Sequence, residues 1–120
     1  MQPLALPPYL DSNIQLALEE FIPALRARYG DRLERVVLFG SQARNEGRAD
    51  SDVDMLVILD QPEMHTLSEI NRQSDIVAEL DLKHRVVLSA IPLSIHQWHD
   101  EQHALVQVAK EEGVVLWEKK

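Results

Sequence analysis

Between residues 36 and 59 the chain reads VVLFGSQARNEGRADSDVDMLVIL, and this stretch restricts the fold more than any other. Val36 to Phe39 is a short, continuous apolar run that reads as a buried strand, and Val53 to Leu59 reads as a second strand. Between them lies a polar segment bounded by Gly40, in which Gly40 and Ser41 are suited to cap a short helix ended by Gly47. Strand side chains alternate between faces, so Asp52 and Asp54 are expected to project the same way, with Val53 opposite. A helix of about two turns, rising about 1.5 Å per residue, would return the chain so that Gly40 and Ser41 lie close to Asp52 and Asp54. The two strands are then antiparallel neighbours with their polar ends together.

Two carboxylates side by side in a partly dry place resist ionising together unless a cation offsets them. Mg²⁺ prefers carboxylate oxygens and keeps coordination positions for substrate phosphates. Gly40 lets backbone approach a ligand, Ser41 offers a hydroxyl, and a short helix presents free amides to an anion. Arg44 and Arg48 add positive charge nearby. A phosphate cradle beside a paired-carboxylate metal site is the equipment of phosphoryl transfer. Taken alone, Asp50, Ser51 and Asp52 are common turn residues, and an isolated Asp-x-Asp reads more simply as a bend before a strand. The chemistry is carried by the succession of strand, Gly-Ser, short helix, Ser-Asp-x-Asp and strand.

The remaining elements follow from periodicity and caps. Asp11, Ser12 and Asn13 offer N-caps to a helix carried by Ile14, Leu18, Phe21, Ile22 and Leu25 and closed by Gly30. Pro23 predicts a kink or a break within it. Thr66 and Glu69 form a capping box for a helix through about Leu80, with Leu67, Ile70, Val77 and Leu80 inward. Arg85 to Leu93 reads as a third strand, and Pro92 suggests an edge or a strand terminus. Ser94 with Gln97 predicts a last helix reaching about Lys110, with Gly113 beyond it. Val114 to Trp117 fits a short strand in a charged C-terminal tail spanning 114–120. The order α-β-α-β-α-β-α-(β) gives an α/β or α+β fold, a small mixed sheet with antiparallel first two strands flanked by helices.

At 120 residues, 45% apolar and 27% charged, the chain is expected to be one domain over 1–120, with an extended lead-in over 1–10. A net charge of -8 argues against direct binding of nucleic-acid backbones. It does not argue against a nucleotide, because a divalent cation reverses the local charge. Without cysteine the chain has neither disulfides nor thiolate-bound zinc, which fits a cytoplasmic protein. No apolar run approaches the roughly 20 residues that cross a bilayer. MQPLALPPYL, with three prolines and no basic start, is a poor secretory signal. A homo-oligomer is left open.

LFGSQAR followed by SDVDMLVIL resembles the signature of the polymerase-β-like nucleotidyltransferase superfamily: Gly-Ser, a ten-residue gap, then Asp-x-Asp. The short length and the Gly-Ser-x-Ala-Arg form are similar to the minimal nucleotidyltransferase (MNT) group. The resemblance implies that fold, with Gly40, Ser41 and Arg44 at the nucleotide phosphates. It implies Asp52 and Asp54 as the catalytic pair ligating Mg²⁺. An acceptor hydroxyl would attack the α-phosphate of a nucleoside triphosphate, ATP donating AMP, and pyrophosphate would leave. It further implies a HEPN-domain protein as partner and acceptor, with this chain the antitoxin of a toxin–antitoxin pair. Relatives usually carry a third carboxylate on the next strand. In RVVLSAIPLS there is none, and Val87 or Ser89 stands near that place. Asp81 and Glu79 would substitute only in another register. An alternative is therefore a catalytically weak or inactive protein that neutralises its partner by binding alone.

Three other signals point to plainer roles. His99 and His103 are spaced as in a zinc-protease helix, but the glutamate stands one place late and no third ligand is evident. Gly40 to Gly47 lacks the Gly-Lys-Ser/Thr of a Walker loop. Trp98 and Trp117 would suit an interface, although core packing of at least one is the simpler role.

Overall fold

The computed structural model describes residues 4–120, so Met1 to Pro3 of the expected lead-in lie outside the described residues. Leu33–Phe39 forms β1 and Val53–Leu59 forms β2, paired antiparallel with Phe39 opposite Asp54. Their polar ends therefore meet, as the apolar runs require. Leu88–Ser94 forms β3, which runs parallel to β2 and sets Ser89 beside Asp54. Val114–Glu118 forms β4, antiparallel to β1 on its other side. The order β3-β2-β1-β4 makes a mixed sheet with β3 at one edge, and this is where Pro92 is tolerated.

Alternation divides the central strands between two cores. Val36, Leu38, Val53, Met55, Val57 and Leu59 face helix α1, Ser12–Tyr29, and helix α2, Thr66–His84. Val37, Phe39, Leu56 and Ile58 pack on the opposite face with Trp98, Val106 and Ala109. These last three belong to helices α3, Ile95–Trp98, and α4, Ala104–Glu112. Met55, Leu56, Ile58 and Leu59 have no solvent exposure, and each such side chain contributes about 1.5–3 kcal/mol of transfer free energy. No helix among the described residues is long and apolar enough to cross a membrane.

Several boundaries differ from the sequence expectation. The segment after Gly40 forms consecutive turns over 41–45 rather than a helix. α1 runs unbroken through Pro23, held by Phe21, Ile22 and Leu25, all fully buried around it. Asp11 stands at the N-cap of α1 without a side-chain cap bond. α2 starts after His65 without a side-chain cap, and Thr66 and Glu69 form no capping box. Glu69 is only 5% exposed because its carboxylate is spent elsewhere: it accepts from Tyr29 Oη, Gln61 Nε2 and Arg72 Nε at 3.1 Å each. Leu67 and Ile70 point to solvent, and Gln73, Ile76 and Leu80 take the inner face.

α2 continues to His84, and Arg85 in left-handed backbone ends it, so β3 begins only at Leu88. The Ser94–Gln97 capping box forms, with Gln97 N donating to Ser94 Oγ at 3.1 Å and Ser94 N donating to Gln97 Oε1 at 2.9 Å. The expected long C-terminal helix nevertheless splits after Trp98. Asp100 Oδ1 accepts from Gln102 N at 3.0 Å, and such short-range side-chain bonds compete with helix continuation. At the C-terminus the expected short strand forms and runs over Val114–Glu118. Of the lead-in, Ala5 N donates to Leu116 O at 2.9 Å, and Leu10 is buried.

Burial, reinforced by the neighbouring Glu69, pushes the Tyr29 hydroxyl from 10.0 up to about 12. The unfolded chain ionises first, so this contribution to stability is complete below pH 10 and is lost as pH rises toward 12. Urea midpoints measured across that window should fall, and Tyr29→Phe should make the fall shallower.

Candidate active site

Gly40 closes β1 at φ 77°, a left-handed backbone that suits glycine. A Cβ there would come within 2.6 Å of Asp54 Oδ2, so the carboxylate lies directly against the glycine backbone. Asp54 is half-buried near the start of β2, and Asp52 is exposed just before the strand. Burial first, and then the charge of Asp52, raise the Asp54 carboxyl above its ordinary value. Among the described residues, neither carboxylate has an ion pair or hydrogen bond to offset it. The expected acidic pair and the Gly-Ser turn are thus at the same end of the sheet.

A tied-down loop does what a helix was expected to do. Ala43 N and Arg44 N both donate to Gly40 O, at 3.1 and 3.2 Å, and Glu46 N donates to Ser41 O at 2.9 Å. The buried Gln42 side chain donates to Arg48 O at 2.8 Å and Ser51 O at 3.5 Å. Ser51 Oγ accepts from Arg48 N at 2.9 Å. From the lead-in, Tyr9 Oη donates to Ala43 O at 2.6 Å. These bonds lead the chain back into β2 with the acids in place.

Arg44 is present at the turn but engaged. Its Nη1 donates to Glu112 Oε2 at 2.8 Å, and its Nε donates to Glu46 Oε2 at 3.2 Å. Gly40 N donates to the other Glu112 oxygen at 2.9 Å. The Arg48 side chain is exposed. Sequence reasoning missed Gln42, Tyr9 and Glu112. Gln42 lies inside the motif, but an amide there carries no periodic signal, and Glu112 is separated from Gly40 by 72 positions.

Two carboxylates without a cation of their own, beside backbone that a Cβ would obstruct, fit a hard divalent ion completed by water and phosphate oxygens. Among the described residues no group of three or more His, Asp or Glu side chains could hold a metal ion. Ser89, and no acid, neighbours Asp54 on β3. Asp81 accepts from Leu88 N at 2.9 Å, and Glu79 is exposed on α2, so neither replaces a third ligand. His99 and His103 fall in the turn between α3 and α4, which removes the helical spacing of a zinc site. Trp98 and Trp117 are both buried.

The sequence profile of the nucleotidyltransferase domain matches residues 18–116. A Methanocaldococcus jannaschii protein named for an inferred protein adenylyltransferase activity is 34% identical over 79 residues, 66% of this chain and 72% of that one. A chain in the crystal structure of a toxin–antitoxin with AMP-PNP superposes with a TM-score of 0.58 at 20% identity, covering 85% of this chain and 74% of that one. Another belongs to a complex of tri-AMPylated Shewanella oneidensis HEPN toxin with MNT antitoxin. It gives a TM-score of 0.55 at 22% identity, covering 88% and 72% of the two chains. These likenesses establish the nucleotidyltransferase fold.

The raised Asp54 carboxyl also has a stability consequence. Its contribution is complete below the ordinary value of 3.8 and is lost as pH rises through the folded value, leaving a penalty at neutral pH. Asp54→Asn should raise the melting temperature at pH 7, because it removes a carboxylate that burial and Asp52 make costly to ionise. Calorimetry should show this gain shrinking in acid.

Proposed function

The chain belongs to the nucleotidyltransferase domain family, and on that premise we propose that it transfers AMP from ATP to a hydroxyl of a partner protein. The observation that carries this reading is the Asp54 carboxylate lying against the Gly40 backbone, with Asp52 beside it. Gly40 and Ser41 would receive the phosphates, and Arg44 would add charge to them. Asp52 and Asp54 would hold Mg²⁺, which supplies charge neutralisation and orients the phosphates. The acceptor oxygen bonds to the α-phosphorus, the bond from that phosphorus to the leaving oxygen breaks, and pyrophosphate departs. The hydroxyl proton passes to solvent, since Ser89 stands where a carboxylate base would otherwise neighbour Asp54. A HEPN-type toxin is the proposed acceptor, and this chain its antitoxin in the cytoplasm. Support comes from relatives named for protein adenylyltransfer and from the fold shared with a chain of the HEPN–MNT complex.

A second reading is favoured by one observation, the absence of any three-acid group among the described residues. On that reading the chain neutralises its partner by occupying its surface, with weak chemistry or none.

Incubation with labelled ATP, Mg²⁺ and a purified HEPN partner separates the two. The enzyme reading expects label on the partner and its loss when Asp52→Ala and Asp54→Ala are combined. Absence of label, with partner inhibition intact in the double variant, leaves only the binder. Ser89→Asp should restore an acid next to Asp54 and raise the transfer rate roughly ten-fold or more. An unchanged rate would remove Ser89 as the limiting position.

A further inference from the structure

The two groups best suited to grip a phosphate at the turn are already gripping an anion. The Gly40 amide and the Arg44 guanidinium converge on opposite oxygens of the Glu112 carboxylate, at 2.9 and 2.8 Å. We propose that Glu112 is an internal stand-in for a nucleotide phosphate, displaced when the polyphosphate enters, so that it weakens and regulates nucleotide binding. This rests on the nucleotide reading above.

Glu112 is the last residue of α4, where the negative end of the helix dipole disfavours an anion. Its own helix therefore gives no reason for a carboxylate there; its partners on the turn do. Hydrogen bonding from Arg44 first, and from the Gly40 amide second, holds the Glu112 carboxyl below its ordinary value, so it is charged at neutral pH. A carboxylate and a phosphate share the feature being read, two acceptor oxygens on one centre facing an N–H and a guanidinium. The clasp is also releasable. The Arg44 side chain is 42% exposed and that of Glu112 is 22% exposed, and ion pairs so placed hold weakly. The side chain can swing into solvent without unmaking either core. Arg44 keeps its second contact, to Glu46, and so stays beside the turn when Glu112 leaves.

Titration calorimetry of the full chain, with tripolyphosphate in the absence of metal and with Mg²⁺–ATP, tests the displacement. Glu112→Gln keeps the shape and removes the charge; Glu112→Ala removes the competitor. Both variants should bind tripolyphosphate roughly two- to ten-fold more tightly than the native chain, with the gain abolished by adding Arg44→Ala. Loss of packing alone would not raise affinity. Equal or weaker binding by both variants overturns the proposal. So does loss of Mg²⁺–ATP binding in Glu112→Gln, which would make Glu112 a metal ligand. Native Mg²⁺–ATP binding with no gain in the variants sinks the displacement alone. Binding by neither the native chain nor the variants sinks the displacement and the nucleotide reading together.

Discussion

The antiparallel pairing of β1 with β2 is the constraint on which the rest depends. With Phe39 opposite Asp54, the end of one strand and the start of the next are fixed at the same rim of the sheet. Strand pleating then puts Leu56 and Ile58 into the core shared with Val37 and Phe39, while Asp54, on that same face, emerges at the rim. A slip of one residue would reverse every side chain in β2 and drive Asp54 into the face covered by α1 and α2. The fully buried residues of both strands oppose that slip, so the apolar core holds the polar site in register.

The rim also carries an electrostatic burden. Asp54 is pressed against backbone and beside a second carboxylate, and among the described residues no side chain forms an ion pair with it. Elsewhere the chain deals with buried charge differently. Glu69 is nearly as sheltered as a core residue, and burial alone would raise its carboxyl. Bonds from Gln61 and Tyr29, with the nearby Arg72 and Arg32, outweigh that and hold it below the ordinary range. The two acids show how much a group's surroundings decide: one is fully partnered and structural, the other unpartnered and open to a ligand.

The loop between the strands and the C-terminal elements converge on the same rim. Gln42 and Tyr9 fix the loop from inside and from the lead-in, and Glu112 reaches it from the end of α4. The segments flanking the strand pair thus act on the site without contributing to its motif. β3 sets a neighbour for Asp54 but brings a hydroxyl, and the nearest acid on the preceding helix, Asp81, caps a strand amide. The rim itself offers Asp54 of β2 and Asp52 just before that strand, and no acid from β3.

Features set by local period were legible in the chain itself. Apolar runs gave β1 and β2, and the Ser94–Gln97 box marked the start of α3. Spacing also placed Gly40 and Ser41 at the turn. What failed were local signals overruled by distant partners. Thr66 and Glu69 read as a cap until Glu69 found Tyr29, Pro23 read as a break until the core closed around it, and Leu67 and Ile70 read as core. Glu112, Gln42 and Tyr9 carried no signal at all. Sequence determines which side chains share a face, because backbone geometry repeats every two or 3.6 residues. Only tertiary structure decides which of them meet across tens of positions, because those contacts follow from packing and charge, which have no period.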